Sequence, residues 1–270
     1  MTDEDTVALA DAYERGLTHE RAGEREAAAA AYRTCLALDP EDRGGAAVRL
    51  ASLGLGDAPD RAPPAYVATL FGQHADDFEM TLVHALGYGI PDEIAIAIED
   101  AGLGPFGRGV DLGCGTGLVG EALDDMVAHL DGVDLAEEML ALADEKGAYA
   151  DLYVGDAVAY LEGVEAGSHD LVVAADVLPY LGTLEPLFAA AARALVPGGV
   201  LAFSTETLPL EAFAGRAWTV GPHQRYAHEP GALGRARAAA GFEPVVFDET
   251  VIRYETGEPV PGHLVLARRG

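Results

Sequence analysis

The stretch Gly109-Val-Asp-Leu-Gly-Cys-Gly-Thr-Gly117 carries the densest chemical signal in the chain. An acid, Asp111, stands directly ahead of three alternating glycines, Gly113, Gly115 and Gly117. Glycine tolerates positive φ and has no Cβ, so a backbone built from it can press against a flat or charged ligand. A helix expected from Leu118 to about His129 would aim its free N–H groups at the same place. Such a turn can hold a ribose, a carboxylate or a phosphate. Two more acids end expected strands, Asp134 in Gly132-Val-Asp-Leu135 and Asp156 in Gly155-Asp-Ala157.

Two nucleoside-bearing ligands compete for this turn. Gly115-Thr-Gly-Leu-Val-Gly120 satisfies the dinucleotide spacing G-x-G-x-x-G, with Asp134 downstream for a ribose, so a nicotinamide-dependent oxidoreductase is one reading. The denser D-x-G-x-G-x-G form resembles motif I of the class I S-adenosylmethionine-dependent methyltransferases. Later segments resemble the same family in order. A second strand ends at Asp134 and is followed by a helix from Ala136 to about Lys146. A third closes at Gly155-Asp156-Ala157, a fourth runs from His169 to Asp176, and Pro197-Gly-Gly199 introduces a fifth, Val200 to Ser204.

The resemblance implies S-adenosyl-L-methionine as cofactor and a methyl group passed to a small-molecule or protein acceptor. It implies roles for single residues too. Asp134 and Leu135 would meet the ribose, and Asp156 and Ala157 the adenine. Asp111 would hold the methionine ammonium, directly or through water, while Gly113, Gly115 and Gly117 let the backbone approach. A non-catalytic scaffold or sensor that keeps cofactor affinity is the alternative, because no unmistakable base stands out.

The crevice should open at the carboxyl ends of strands one and four. Asp176 and Tyr180 lie just past strand four and are candidate catalytic residues, Asp176 as a proton acceptor or else as a helix cap. The second cluster is Pro222-His-Gln-Arg-Tyr-Ala-His228. There Arg225 could hold a substrate carboxylate and Tyr226 line the acceptor site. His228 could act as a base near neutral pH, or be a buried hydrogen-bonding residue of the sheet. No metal site is expected, since His223 and His228 have no cysteine or acidic partner in register.

The elements that must position these residues form an α/β chain: a Rossmann-like doubly wound seven-stranded sheet, last strand antiparallel, with a small all-α N-terminal element. Residues 1–58 read as helices over Val7–His19 and Glu24–Leu38. Gly16, Gly23, Ala28, Tyr32 and Pro40 sit at the spacing of one tetratricopeptide repeat, which this segment resembles. One repeat cannot bury its own face, so it must pack on the catalytic domain, another subunit or a partner protein. Residues 59–106 read as linker and lid, with an amphipathic helical stretch over Tyr66–Gly87 carrying Phe71, His74 and Phe78. Residues 107–270 are the cofactor-binding domain, ending in a helix over Pro230–Ala240 and strands over Pro244–Arg253 and His263–Arg268. The single helical repeat together with Val173–Leu181 and Gln224–His228 resembles bacterial predicted methyltransferases carrying tetratricopeptide repeats.

Formal net charge is −28, and Lys146 is the only lysine. Nucleic-acid binding depends on Lys/Arg contacts to phosphate, so nucleic acid is excluded as a partner, and anionic membrane surfaces are disfavoured. Two cysteines, Cys35 and Cys114, imply no disulfide framework. The acidic start, Met-Thr-Asp-Glu-Asp, is unlike a signal peptide, and no apolar run spans a bilayer, so a cytoplasmic protein is expected.

Overall fold

The computed structural model describes residues 3–270. Eleven α-helices and nine strands alternate along the described chain. The helices are α1 (Asp3–Arg21), α2 (Arg25–Leu38), α3 (Ala46–Ser52), α4 (Pro64–Gly72), α5 (Ile90–Asp100), α6 (Leu118–Ala122), α7 (Glu137–Lys146), α8 (Ala157–Gly163), α9 (Glu185–Ala194), α10 (Leu210–Phe213) and α11 (Pro230–Ala239). The strands are β1 (Gly109–Leu112), β2 (Leu130–Asp134), β3 (Asp151–Val154), β4 (His169–Ala174), β5 (Leu195–Glu206), β6 (Trp218–Val220), β7 (Tyr226–His228), β8 (Phe242–Glu255) and β9 (Glu258–Arg269).

The sheet runs β3-β2-β1-β4-β5 in parallel. Strand β9 then joins β5 antiparallel, and β8 pairs antiparallel with β9. These are the seven expected strands with the last one reversed. A short hairpin, β6–β7, is additional, and Ala227 pairs with Glu206 at the end of β5. Glu206 already faces Gly262 of β9 across its other edge. The hairpin therefore lies on the β4 side of β5, above the end of β4 and beside the crevice. The sequence reading places Pro222–His228 between strand five and the following helix without giving it an element; it forms the turn and second strand of this hairpin.

Both faces of the central strands are buried, which is why their sequences are almost continuously apolar. Side chains alternate across the sheet with period two. Val110, Leu112, Val172, Ala174, Leu201 and Phe203 face one core, shared with α8, α9 and α11. Leu171, Val173, Ala175, Val200 and Ala202 face the other, shared with α5 and α6. Asp111 is in register with Val173, so its side chain joins that second face.

The structure corrects several expected boundaries. The helix expected to reach His129 ends at Ala122. The Tyr66–Gly87 stretch is broken into α4, a 3-10 turn over Ala75–Asp77 and a π-helical turn over Met80–Ala85. Strand β5 begins upstream of the Pro197-Gly-Gly199 turn, and β8 and β9 are longer than expected.

Helices α1 and α2 form an antiparallel pair closed by small residues, with Gly16 lying against the ring of Tyr32. The pair has its own core around Ala12, Ala28 and Tyr32. Helix α3 turns the other way. Its Val48 joins Ala62, Val220 and Tyr226 in one buried cluster, with Tyr66, Tyr180 and Trp218 packed against it. Of the packing partners left open by the sequence, the one seen here is the rest of the same chain. The strand-like segment 59–62 is stapled across residues 180–183. Ala62 N–H donates to Tyr180 O at 2.8 Å, and Gly182 N–H to Asp60 O at 2.8 Å. The Tyr226 hydroxyl donates to Pro59 O at 3.0 Å.

Candidate active site

A cavity opens at the carboxyl ends of β1, β2, β3 and β4, under a cover of α4 and the broken 75–85 segment. Its empty volume, counting the open mouth, is about 1030 Å³. Gly113, Gly115, Asp134, Leu135, Asp156, Ala157, Asp176 and Tyr180 all line it. The structure therefore gathers eight of the thirteen predicted residues around one space. Asp111, Gly117, Arg225, Tyr226 and His228 are not on its wall.

Each strand-end acid is held by local backbone. Asp134 accepts from Gly115 N–H at 2.9 Å and Ala136 N–H at 2.8 Å, tying the glycine turn to the end of β2. Burial raises its pKa, opposed by those backbone bonds. Asp156 caps α8, accepting from Ala159 N–H at 3.0 Å. Its second oxygen meets Arg61 Nη1 at 2.8 Å, an ion pair between the 59–62 segment and the end of β3. Arg61 gave no signal in the sequence, because it lies in a proline-rich linker.

The three glycines serve different ends. Gly115 has φ +53, and a Cβ there would point toward Phe78 at 3.9 Å across the cavity. Gly113 has φ +66, and a Cβ would lie 2.5 Å from Val177 Cγ2. Gly117 is turned away from the cavity, its missing Cβ facing Tyr149 and Lys146, so a part in ligand approach is corrected to packing against α7. Asp111 is fully buried beneath the turn because strand alternation points it sideways. Tyr149 donates to its Oδ2 at 2.8 Å, while Oδ1 has no partner. Burial pushes Asp111 up to about 8, Tyr149 opposing. Direct contact with a ligand in the cavity is corrected accordingly.

Beyond β4 the charged residues form one buried network. Arg225 places Nη2 at 2.6 Å from both oxygens of Asp176, Nε at 2.6 Å from Glu206, and Nη1 at 2.6 Å from the Tyr180 hydroxyl. Arg253 adds a 2.6 Å contact to Glu206. Burial pushes Asp176 up, with Arg225 and Arg253 opposing. For Glu206 the two guanidiniums outweigh burial and hold its carboxyl below the usual range. Arg225 is consequently not free for a substrate carboxylate, which corrects the sequence reading; it positions Asp176. Tyr226 is fully buried and anchors Pro59 rather than facing the cavity. His228 is likewise no base at the cavity wall. It is buried in the sheet, with Nδ1 2.9 Å from Thr205 Oγ1 and Nε2 unpartnered.

Other residues have no sequence signal at all. Glu79, on the cover, accepts from the Thr116 hydroxyl at 2.6 Å and pairs with Lys146 at 2.7 Å, which also pairs with Glu121. Thr116 thus ties the cover to the glycine turn, and the chain's only lysine ties it to α6 and α7. Among the described residues, His129, Asp131 and Asp151 bring possible ligand atoms within 4.8 Å of one another, a grouping the sequence spacing does not reveal. It lies at the opposite end of the strands, and Arg108 Nη2 already sits 3.0 Å from Asp131. No described helix is long and apolar enough to cross a membrane.

Burial pulls His228 down to about 4. An unfolded histidine titrates near 6.5, so between about pH 6.5 and 4 the unfolded chain binds a proton that the folded one refuses. Its contribution is present above pH 6.5 and lost as pH falls, reaching about 3 kcal/mol near pH 4. Asp111 works oppositely: its contribution is present in acid and lost as pH rises toward 8. The two are separated by substitution. Urea unfolding at pH 7 and pH 4.5 should show His228→Asn losing about 2–3 kcal/mol less than wild type on acidification.

Comparison with known proteins bears on the core of the sheet. Residues 110–203 match the model of a methyltransferase domain family. The fold that surrounds these residues is that of class I S-adenosylmethionine-dependent methyltransferases. A ubiquinone biosynthesis O-methyltransferase of Burkholderia thailandensis is 34% identical over 113 residues, 40% of this chain and 48% of the relative. The chain thus spans about half the length of the curated relatives it matches. An S-adenosylmethionine-dependent methyltransferase from Mesorhizobium loti matches at 25% identity with a TM-score of 0.51, over 64% of this chain and 96% of that one. The N-methyltransferase NodS of Bradyrhizobium japonicum, solved with S-adenosylhomocysteine, matches in fold at 17% identity and a TM-score of 0.51, over 66% and 85%. The methyltransferase domain's matched residues cover the glycine turn and all three strand-end acids at β1, β2 and β3, and stop within β5.

Proposed function

We propose that the chain is an S-adenosylmethionine-dependent methyltransferase acting on a small molecule. One observation carries the reading: a single covered cavity is lined by Gly113, Gly115, Asp134 and Asp156 on one side and by Asp176 on the other. The residues present fit the cofactor. A cradle at Gly115 is open where a Cβ would project, a carboxylate stands at the ribose position, and an apolar wall surrounds them. When bound, the cofactor supplies an electrophilic methyl group on a sulfonium sulfur.

In this reading the protein's own work is binding, alignment and exclusion of water. Asp134 accepts from the ribose hydroxyls with lone pairs left over from its two backbone bonds. Asp156 and Ala157 meet the adenine. Phe71 and Phe78, whose rings meet edge-on at 5.8 Å, close the cavity from above. Asp176 receives the proton of an acceptor O–H or N–H on a carboxylate oxygen, held in place by Arg225. The Tyr180 hydroxyl orients the same carboxylate through that guanidinium.

The organisation proposed with this activity is a helical head over 1–58, linker and lid over 59–106, and the catalytic domain over 107–270. The head is read as one tetratricopeptide-like repeat, supported by the Gly16–Tyr32 seam, with its α1–α2 outer surface available to a protein partner or a second copy. A cytoplasmic setting belongs to the same reading, supported by two free, buried cysteines. Isothermal titration should detect S-adenosylhomocysteine at micromolar Kd, and methyl-labelled cofactor should label a small-molecule fraction of a bacterial extract. Absence of any titration heat, with the protein folded, would overturn the proposal.

A further inference from the structure

We infer that the acceptor is a non-anionic, ring-bearing small molecule whose nucleophilic O–H or N–H points at Asp176; this rests on the methyltransferase reading above. The sheet order sets the direction of the cavity. With β3, β2, β1 and β4 side by side, Asp156, Asp134, the glycine turn and Asp176 follow one another along its floor. The adenine end is at β3, so the acceptor end is past β4.

That end is walled by Val67, Phe71, Tyr88, Val177 and Tyr180. Phe71 meets Tyr180 edge-on at 5.4 Å, and Tyr88 is raised well above its ordinary pKa by burial and by the charge of Asp176. Linked aromatic rings with one carboxylate among them suit a flat guest that turns a hydrogen-bond donor toward it. Asp176 is the only carboxylate on this part of the wall, and it can accept but not donate.

No free cation there answers an anion. Arg61 is the only basic residue on the cavity wall, and it is paired with Asp156 at the far end. Arg225 lies behind Asp176 with every nitrogen engaged, by Asp176, Tyr180 and Glu206. A carboxylate or phosphate on the acceptor would lose its water beside the Asp176 carboxylate with no counter-charge gained. The net charge of −28 repels it further at low salt.

The test is equilibrium dialysis of protein saturated with S-adenosylhomocysteine against three matched probes: 4-methylcatechol, dopamine and 3,4-dihydroxybenzoate. The neutral and cationic probes should be retained, and the benzoate should bind at least about tenfold more weakly. Asp176→Asn uncovers the Arg225 guanidinium, so in that variant the benzoate should gain at least about threefold over the catechol. A gain of binding is not something misfolding can imitate, and if the variant does not fold the wild-type series decides alone. Equal retention of the benzoate, no change of preference in a folded variant, or no retention of any probe overturns the inference. Failure to bind S-adenosylhomocysteine instead removes the cofactor reading beneath it.

Discussion

Arg225→Ala is expected to cost about 3–5 kcal/mol of folding stability, the range seen when one partner of a buried ion pair is removed. The guanidinium touches Asp176, Glu206 and Tyr180 at 2.6 Å each, and the three charged groups are largely buried. Glu206 keeps Arg253, but Asp176 loses the one guanidinium in contact with it, and Arg253 acts on it only from a distance. Burial would then drive Asp176 further toward the protonated form, removing the acceptor it offers to the cavity. Arg225→Lys should recover little, because one ammonium cannot meet three acceptors set around a planar fork. Urea unfolding followed by circular dichroism measures the loss. A change below about 1 kcal/mol would mean that the network is no stronger than a surface salt bridge.

Asp134→Ala should weaken S-adenosylhomocysteine binding at least tenfold, equivalent to about 1.4 kcal/mol or more. The carboxylate has two functions that fail together. It is the acceptor proposed for the ribose, and it fixes Gly115 and Ala136 through their N–H groups at 2.9 and 2.8 Å. Asp134→Asn keeps one acceptor oxygen and should fall between the wild type and the alanine variant. Titration calorimetry on variants with unchanged circular dichroism separates this from unfolding. Wild-type affinity in Asp134→Ala would move the ribose site elsewhere.

The parallel half of the sheet was legible because its signals are local. Asp111 to Gly117, Asp134 and Asp156 each stand at the end of a strand, and strand-end turns demand the residue types seen there. The acceptor side was not legible in the same way. Arg225, Tyr226 and His228 are striking as polar residues in sequence, but whether such a residue faces a ligand or a buried partner depends on the hairpin it occupies. Their partners, Glu206, Pro59 and Thr205, lie at least 19 positions away along the chain. No periodicity connects them. The break of the Tyr66–Gly87 segment was invisible for a related reason. Its apolar pattern suits a continuous helix, and the contacts that interrupt it, such as Glu79 with Thr116 and Lys146, come from other elements.

The docking of α3 and of residues 59–62 has a consequence for how the chain can be shortened. Val48 shares a core with Val220 and Tyr226, and Pro59 and Asp60 bind the rim that carries Tyr180. A version trimmed to begin after residue 58 would strip the apolar back from that rim and bare Tyr226 and Trp218 to water. The amino-terminal helices are therefore a buttress of the chamber wall, and a molecule gripping them would be pulling on the chamber itself.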